Sequence, residues 1–368
     1  MSVILFIIIL AVLIFVHELG HFVIAKLSGI RVDEFALGFP PTILSKKVGE
    51  TVYKLNIIPF GGYVSIFGEN PDHDSLHGPD SARSMVKKNR AIQASVLSAG
   101  VIFNVIFAWV LISASLALGI SPTASLVGDS AGKVNGKVII SEVMKDSPAE
   151  KAGLKSGDIV FNVTSKETTL SDSSLTIDSI QKLVATEKDK QVVFGVYREG
   201  KAFNATTTPV VGVVSDKAAI GIGMESGEVI KLAWYQAPIQ GFKTTVNIIS
   251  LTAQGLWGFV VEAFHGKANY GQVSGPIGIV GMVGSASHYG LSYILFFTAL
   301  ISINLAIINI LPFPALDGGR LLFVAIEAIS RKSIPPKVGN ALNAGGFAIL
   351  ILLMLLVTYH DVAKLFIK

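Results

Sequence analysis

Ile4-Leu5-Phe6-Ile7-Ile8-Ile9-Leu10 runs on, with no charged residue from Met1 to His17, into His17-Glu18-Leu19-Gly20-His21, and apolar character then resumes to about Leu27. This stretch decides the fold. A helix that is apolar all round has no polar face to offer water, so it belongs in a large core or in a bilayer. Three further stretches behave alike. Ala91 to Gly128 is 38 residues without Asp, Glu, Lys or Arg, and Ala268 to Leu316 is 49, densest at Leu291 to Leu311. Val338 to His360 is the fourth. Each supplies the roughly 20 apolar residues a spanning helix needs. A signal peptide fits residues 1–27 poorly, because no basic n-region precedes the apolar run and no Ala-x-Ala-like site closes it.

The composition agrees. Of 368 residues, 51% are hydrophobic and 15% charged, against roughly 25% charged in an average soluble domain. The charge is concentrated: 27 of the 103 residues from Asp129 to Lys231 are charged, and only 29 of the other 265. A soluble-looking middle is set in an apolar frame. The net charge of +4 with scattered bases gives no nucleic-acid footprint. The absence of cysteine excludes disulfides, thiol catalysis and zinc–thiolate sites.

Orientation follows from short-loop Lys and Arg. Residues 26–90 hold nine: Lys26, Arg31, Lys46, Lys47, Lys54, Arg83, Lys87, Lys88 and Arg90. The loop 319–337 holds Arg320, Arg331, Lys332 and Lys337. Both loops are therefore expected in the cytoplasm, with the N-terminus and the charged middle outside; Lys364 and Lys368 run against the rule.

His17-Glu18-Leu19-Gly20-His21 is His-Glu-x-x-His. On a helix, positions i and i+4 share a face, so both imidazoles reach one ion, with Glu18 beside them as a general base. Three ionisable groups inside a span are costly without a function. A hydrolytic zinc site takes three protein ligands and water, so a third ligand is required. Asp317 is the only acid between Glu262 and Glu327. It follows the third span at its inner end, at the depth of His17 and His21, and is expected to complete the site. His265, His288 and His360 fall on the outer side. His73 and His77 are cytoplasmic but lie in a polar loop.

Together with Asn309-Ile310-Leu311-Pro312-Phe313-Pro314-Ala315-Leu316-Asp317-Gly318, this motif resembles the site-2 protease family of intramembrane zinc metalloproteases, most closely its bacterial sigma-E-pathway type with PDZ domains. Pro59-Phe60-Gly61-Gly62-Tyr63-Val64 is similar to the family's re-entrant β-loop, and Gly38-Phe39-Pro40, Ser274-Gly275-Pro276-Ile277 and Ser302-Ile303-Asn304-Leu305 are similar to other family segments. Tyr53 to Ile58 also alternates like a strand on its own account, followed by Phe60 to Ile66 with glycine at the bend. An unpaired edge there would accept an extended substrate by strand addition.

Residues 124–228 read as one small α+β domain. Val138-Ile139-Ile140 and Gln191 to Tyr197 are strand-like, Ser147 to Leu154 is a short helix with Ser at the N-cap and Pro at N1, and 177–186 is a second helix. Gly153-Leu154-Lys155-Ser156-Gly157-Asp158-Ile159-Val160 resembles the bacterial PDZ signature. There is room for one such domain. Lys231 to Phe264 is expected to form an amphipathic interfacial helix.

The expected architecture is thus a polytopic α-helical membrane protein with about four transmembrane helices, a re-entrant β-loop and one extracytoplasmic PDZ-like domain. The divisions are 1–123 (two spans and the β-loop), 124–228 (PDZ-like), 229–267 (interfacial) and 268–368 (two spans and the Asp317 motif). The resemblance implies a Zn2+ peptidase of the bacterial inner membrane that cuts within transmembrane segments. Its implied substrates are single-span proteins already trimmed by another protease, such as anti-sigma factors, and leftover signal peptides. Glu18 is the expected catalytic base, with His17, His21 and Asp317 on the metal. Asn309, Asn304, Gly61, Gly62, Tyr63 and Pro312 are expected to contact substrate. The alternatives are a membrane metal transporter, which would need ligating residues along several spans, and a PDZ tethering scaffold, which would not need Glu18.

Overall fold

A computed structural model describes residues 2–70, 72–120, 137–198, 201–212, 218–227, 231–266, 275–288, 290–332 and 334–366. The chain divides into two compact units. One comprises Met1–Ile112, Thr245–Ala286 and Ile294–Lys368, the other Ser113–Thr244 and Ser287–Tyr293.

The first unit holds all or most of α1 (Ser2–Leu27), α3 (Arg90–Leu118), α6 (Ala237–Phe264), α7 (Pro276–His288), α8 (Leu291–Ile310), α9 (Asp317–Ser330) and α10 (Pro336–Phe366), with a short α2 (His73–His77). Large apolar side chains stay exposed along the helices, among them Ile4, Ile8, Val110, Leu352 and Leu356. In water this surface would be untenable, and in a bilayer lipid tails cover it. The protein is polytopic. Among the described residues five helices, against the four expected, are long and apolar enough to cross a membrane. The added one is α6, expected as an amphipathic interfacial helix. Between Lys243 and Glu262 it carries no charged residue, so a stripe of apolar positions lies on a helix with little polar contrast.

Inside the unit, Phe6, Ile9 and Leu13 of α1 pack with Val283 of α7 and with Ile294, Phe297, Ile301 and Leu305 of α8. A second cluster joins Ala25, Val32, Phe35, Val64, Val96 and Leu97, with Leu321 and Val324 of α9 against it. These clusters lock α1 between α3 and α8.

Two long strands, β1 (Val32–Val48) and β2 (Thr51–Ile66), pair with each other twice. Val48 opposes Thr51 and Leu44 opposes Leu55 in an outer hairpin. Phe35 opposes both Tyr53 and Val64, so residues 32–39 lie between 51–58 and 62–66. Each strand bends on itself near a proline, at Phe39-Pro40-Pro41 and at Pro59, where the missing N–H cannot join a ladder. The expected hairpin of 53–58 against 60–66 is therefore replaced. Those segments do not pair with each other, because residues 32–39 insert between them. The mixed polar and apolar order of Val32-Asp33-Glu34-Phe35-Ala36-Leu37 concealed that strand. Segment 62–66 is the edge nearest α1. The turn at Glu50 is anchored by Arg83, whose two terminal nitrogens each lie 2.7 Å from a Glu50 oxygen, and by Lys26. These cations hold the Glu50 carboxyl down at about 2.

The second unit centres on an antiparallel sheet ordered β10-β3-β4-β6-β7, with β5 beside β4. The strands are β3 (Lys137–Val143), β4 (Ile159–Thr164), β5 (Thr169–Ser171), β6 (Val192–Arg198), β7 (Lys201–Thr207) and β10 (Ile222–Gly227); β8 (Val210–Val211) and β9 (Ala218–Ala219) pair separately. Ile140, Val163, Phe194 and Val196 form its core with Ile180 and Leu183 of α5 (Ile177–Thr186). The short helix α4 (Pro148–Lys151) starts at Ser147, whose hydroxyl accepts from Glu150 N. Arg198 grips buried Asp158 through two 2.7 Å contacts, fixing the Gly153–Asp158 loop. Residues 124–136, 199–200, 213–217 and 228 of the expected domain lie outside the described residues.

Candidate metal centre

His17 and His21 sit one turn apart on α1 and are nearly buried, at 9% and 8% exposure. They face α3 at very short range. A Cβ added at Gly20 would lie 2.5 Å from the Ala99 carbonyl, and one at Gly100 would lie 2.3 Å from His21 Nε2. Only glycine at these two positions lets the helices approach closely enough for the imidazoles to lie between them.

Asp317 arrives from the other end of the chain as the first residue of α9. The turn from α8 is tight. Ala315 has φ of 76° and its N–H donates to Asn343 Oδ1 at 3.2 Å. Hypothetical Cβ atoms on Gly318 and Gly319 would both fall 2.2 Å from carbonyl oxygens, of Ile310 and Phe313. The Asp-Gly-Gly sequence is thus needed for the chain to double back, and the Asp317 side chain is directed to the histidines instead of capping its own turn.

The three groups converge. Asp317 Oδ2 lies 3.1 Å from His17 Nε2 and 3.3 Å from His21 Nε2, and the two Nε2 atoms are 3.3 Å apart. His21 Nδ1 donates to the Val96 carbonyl at 2.8 Å, an atom that can only accept. In the neutral ring Nε2 is therefore a bare lone pair. Asp317 Oδ2 is buried without a hydrogen-bond donor. Acceptor atoms this close repel unless a cation stands among them. Ligands 2.0–2.1 Å from a tetrahedral ion lie roughly 3.3–3.4 Å from one another, which matches the observed triangle. The donor set fits zinc. Among the described residues this is the one such group of three.

Glu18 is half-buried on the same turn, with the Val64 backbone beside its carboxylate. The edge segment of β2 therefore touches the acid directly, and a Cβ on Gly62 would meet Ile14 and Glu18 at 2.8 and 3.3 Å. Other expected site residues stand further out. The Tyr63 hydroxyl donates to Glu34 Oε2 at 2.9 Å, Gly61 (φ 130°) is covered by the Phe39 ring, and Pro312 is exposed in the α8–α9 turn. Asn309 is half-buried on the last turn of α8, whereas exposed Asn304 spends its amide on the Leu300 carbonyl at 3.0 Å. His73 is 87% exposed beside Asp74 and does not join the cluster. Sequence reasoning missed Val64, Val96, Gly100 and Asn104. The one available signal was a Gly and an Asn four residues apart in an otherwise apolar span.

Residues 5–353 match the profile of Peptidase family M50. A protein of Clostridium perfringens (strain 13) with a zinc-metalloprotease name is 35% identical over 350 residues, covering 95% of both chains. Another of Nostoc sp. (strain PCC 7120) is 35% identical over 355 residues, covering 95% of this chain and 93% of its own. Zinc metalloprotease RasP of Oceanobacillus iheyensis is 29% identical over 438 residues, covering 99% of each. A buried His-His-Asp triangle matched to zinc, within a chain matched almost end to end, has one reading: this protein belongs to peptidase family M50, the site-2 proteases, and is a zinc metalloprotease.

Proposed function

We propose that the protein hydrolyses peptide bonds within the transmembrane segments of single-span proteins, with zinc on His17, His21 and Asp317 and with Glu18 as the proton carrier. The convergence of His17, His21 and Asp317 carries this reading, because it sets a hydrolytic donor set inside an apolar helix. A transporter would need such groups along several spans, and none other occurs among the described residues. When bound, zinc supplies Lewis acidity toward a carbonyl and acidifies a water to a pKa of about 7. Glu18 would take a proton from the attacking water and give it to the leaving amine. The Val64 backbone stands beside its carboxylate. Asn309, near the Asp317 turn, steadies the substrate backbone. A helical substrate keeps its carbonyls hydrogen-bonded internally, so the scissile segment must unwind. The edge at Gly62 to Ile66 receives it extended, and Gly61, Tyr63 and Pro312 border that path.

The topology that fits is an outside N-terminus, both basic loops in the cytoplasm of a bacterial inner membrane, and the α+β domain outside. α8 must then descend to the cytoplasmic side to deliver Asp317 to the histidines. If α6 crossed as well, the chain would need a return crossing before α8. Among the described residues only α7 is available, and its 13 residues reach about 20 Å against a hydrocarbon core of about 30 Å. α6 is therefore assigned to the outer interface, with Trp234 and Tyr235 exposed at its start. The α+β domain is read as PDZ-like and as a filter that admits trimmed substrates.

The test is cleavage of a model single-span substrate by purified protein. Glu18→Gln is expected to retain zinc and lose nearly all cleavage. Comparable turnover by the variant refutes the mechanism.

A further inference from the structure

The two histidines differ in what holds their far nitrogens. His21 Nδ1 has the Val96 carbonyl, a pure acceptor, at 2.8 Å. His17 Nδ1 has the side chain of Asn104, with Nδ2 at 3.2 Å. Val96, Gly100 and Asn104 are spaced i, i+4, i+8, so one face of α3 serves both rings. The Val96 carbonyl accepts from one ring, Gly100 leaves room for both, and Asn104 meets the other.

Amide orientation is set by partners, since O and N are alike in size and shape. If Nδ2 donated to His17 Nδ1, the ring proton would sit on Nε2 and point at His21 Nε2 and Asp317 Oδ2. That tautomer cannot ligate a metal through Nε2. It also leaves Asn104 Oδ1 buried with no donor, on a residue with no exposed surface. Turning the amide by 180° brings Oδ1 to His17 Nδ1–H and frees Nε2 toward the other two ligand atoms. The helix is steadied at this point, since Ser302 Oγ of α8 donates to the Asn104 backbone carbonyl at 2.9 Å. The same α8 leads to Asp317.

We propose that Asn104 is a positioning residue of the metal centre, whose amide oxygen accepts from His17 Nδ1–H and so holds Nε2 bare toward zinc, as Val96 does for His21. It rests on His17 being a zinc ligand. Its role is tautomer selection and not packing, so an acceptor of similar shape suffices and an apolar isostere does not.

The experiment measures zinc affinity of the full chain in detergent by competition with a chromophoric chelator, with helix content followed by circular dichroism. Asn104→Leu is expected to bind zinc roughly 10–100-fold more weakly, as outer-shell partners of ligating histidines do. Its zinc-free form should match zinc-free wild type in melting temperature, with the zinc-dependent rise reduced. Asn104→Asp, which keeps an acceptor in the same place, should bind at least as tightly as wild type. His17→Ala should lose zinc. Wild-type affinity in Asn104→Leu overturns the proposal, and so does an Asn104→Asp variant as weak as Asn104→Leu, which would mark a packing role. Undiminished zinc in His17→Ala instead overturns the ligand assignment beneath it, which keeps the two failures apart.

Discussion

Replacing Gly100 by alanine adds one methyl group at the closest approach of α3 to the metal-facing rings. The new Cβ would lie 2.3 Å from His21 Nε2, 2.7 Å from His17 Cε1 and 2.8 Å from His17 Nδ1. Ordinary contact needs about 3.5 Å, so the nearest ring must retreat by about 1.2 Å or the helices must part by that much. Overpacking of this kind costs about 1–3 kcal/mol of stability by itself. The metal centre is less forgiving, because ligand distances hold to within about 0.2 Å. Displacing a ligand by several times that tolerance is worth at least the upper end of an outer-shell loss, about 100-fold in zinc affinity. The assay is zinc per chain by mass spectrometry after washing with a graded series of chelator, with circular dichroism to confirm that the helices persist. Gly345→Ala on α10 is the control, because a Cβ there meets nothing within 4 Å. Zinc affinity in Gly100→Ala equal to wild type and to Gly345→Ala would refute the close-approach argument.

Asp317→Ala should lose most of its zinc as well as its activity, measured by the same chelator series; full occupancy would send the search to another ligand, beginning with His73 and His77. Single cysteines at His73 and Lys166, both exposed, should label from opposite faces of sealed vesicles, the native chain having no cysteine to interfere. Ser75 would be a poor probe, since it is buried in the cap of α2. Labelling of both from one face contradicts the assigned topology. For Glu50, the folded carboxyl titrates at about 2 against an ordinary 4.5. Its contribution is fully present above pH 4.5 and is lost as pH falls toward 2. Wild-type melting temperature should therefore fall below pH 4.5 more steeply than that of Glu50→Gln, and parallel curves would show that the Arg83–Glu50–Lys26 tie adds no stability.

The parts legible in sequence are those written in local pattern. Ile4 to Leu10 admits no polar face, so a span follows, and His17 and His21 share a face because any helix repeats every 3.6 residues. The approach of Asp317 was accessible through topology, because one acid in a long uncharged stretch stands where two histidines lack a partner. The contacts of α3 were not. Gly100-Val101-Ile102-Phe103-Asn104 reads as ordinary apolar span, and only the crossing of α1 over α3 turns the glycine into a clearance and the asparagine into a neighbour of His17. Strand β1 was hidden for a related reason. Asp33 and Glu34 interrupt its alternation, and they are satisfied by Arg31, Lys54 and Tyr63, from 2 to 29 positions away. The double pairing of β1 with β2 depends on bends that no two-residue period announces. α6 is ambiguous in sequence: its aromatic and aliphatic stripe suits an interface, while uncharged Ser, Thr, Asn and Gln between stripe positions also leave length and apolarity sufficient for a span.

The metal-facing triangle joins residues near the start of the chain to one near its end, and this carries a consequence for biogenesis. His21 and Asp317 are separated by 296 positions. At about 5–20 residues per second a ribosome needs roughly 15–60 s to pass from one to the other. Throughout that interval the nascent chain owns two imidazoles and no third ligand, which is too few to retain zinc firmly. The metalloprotease thereby lacks its complete donor set while its own helices are being inserted, and acquires it only when nearly all of it has been made.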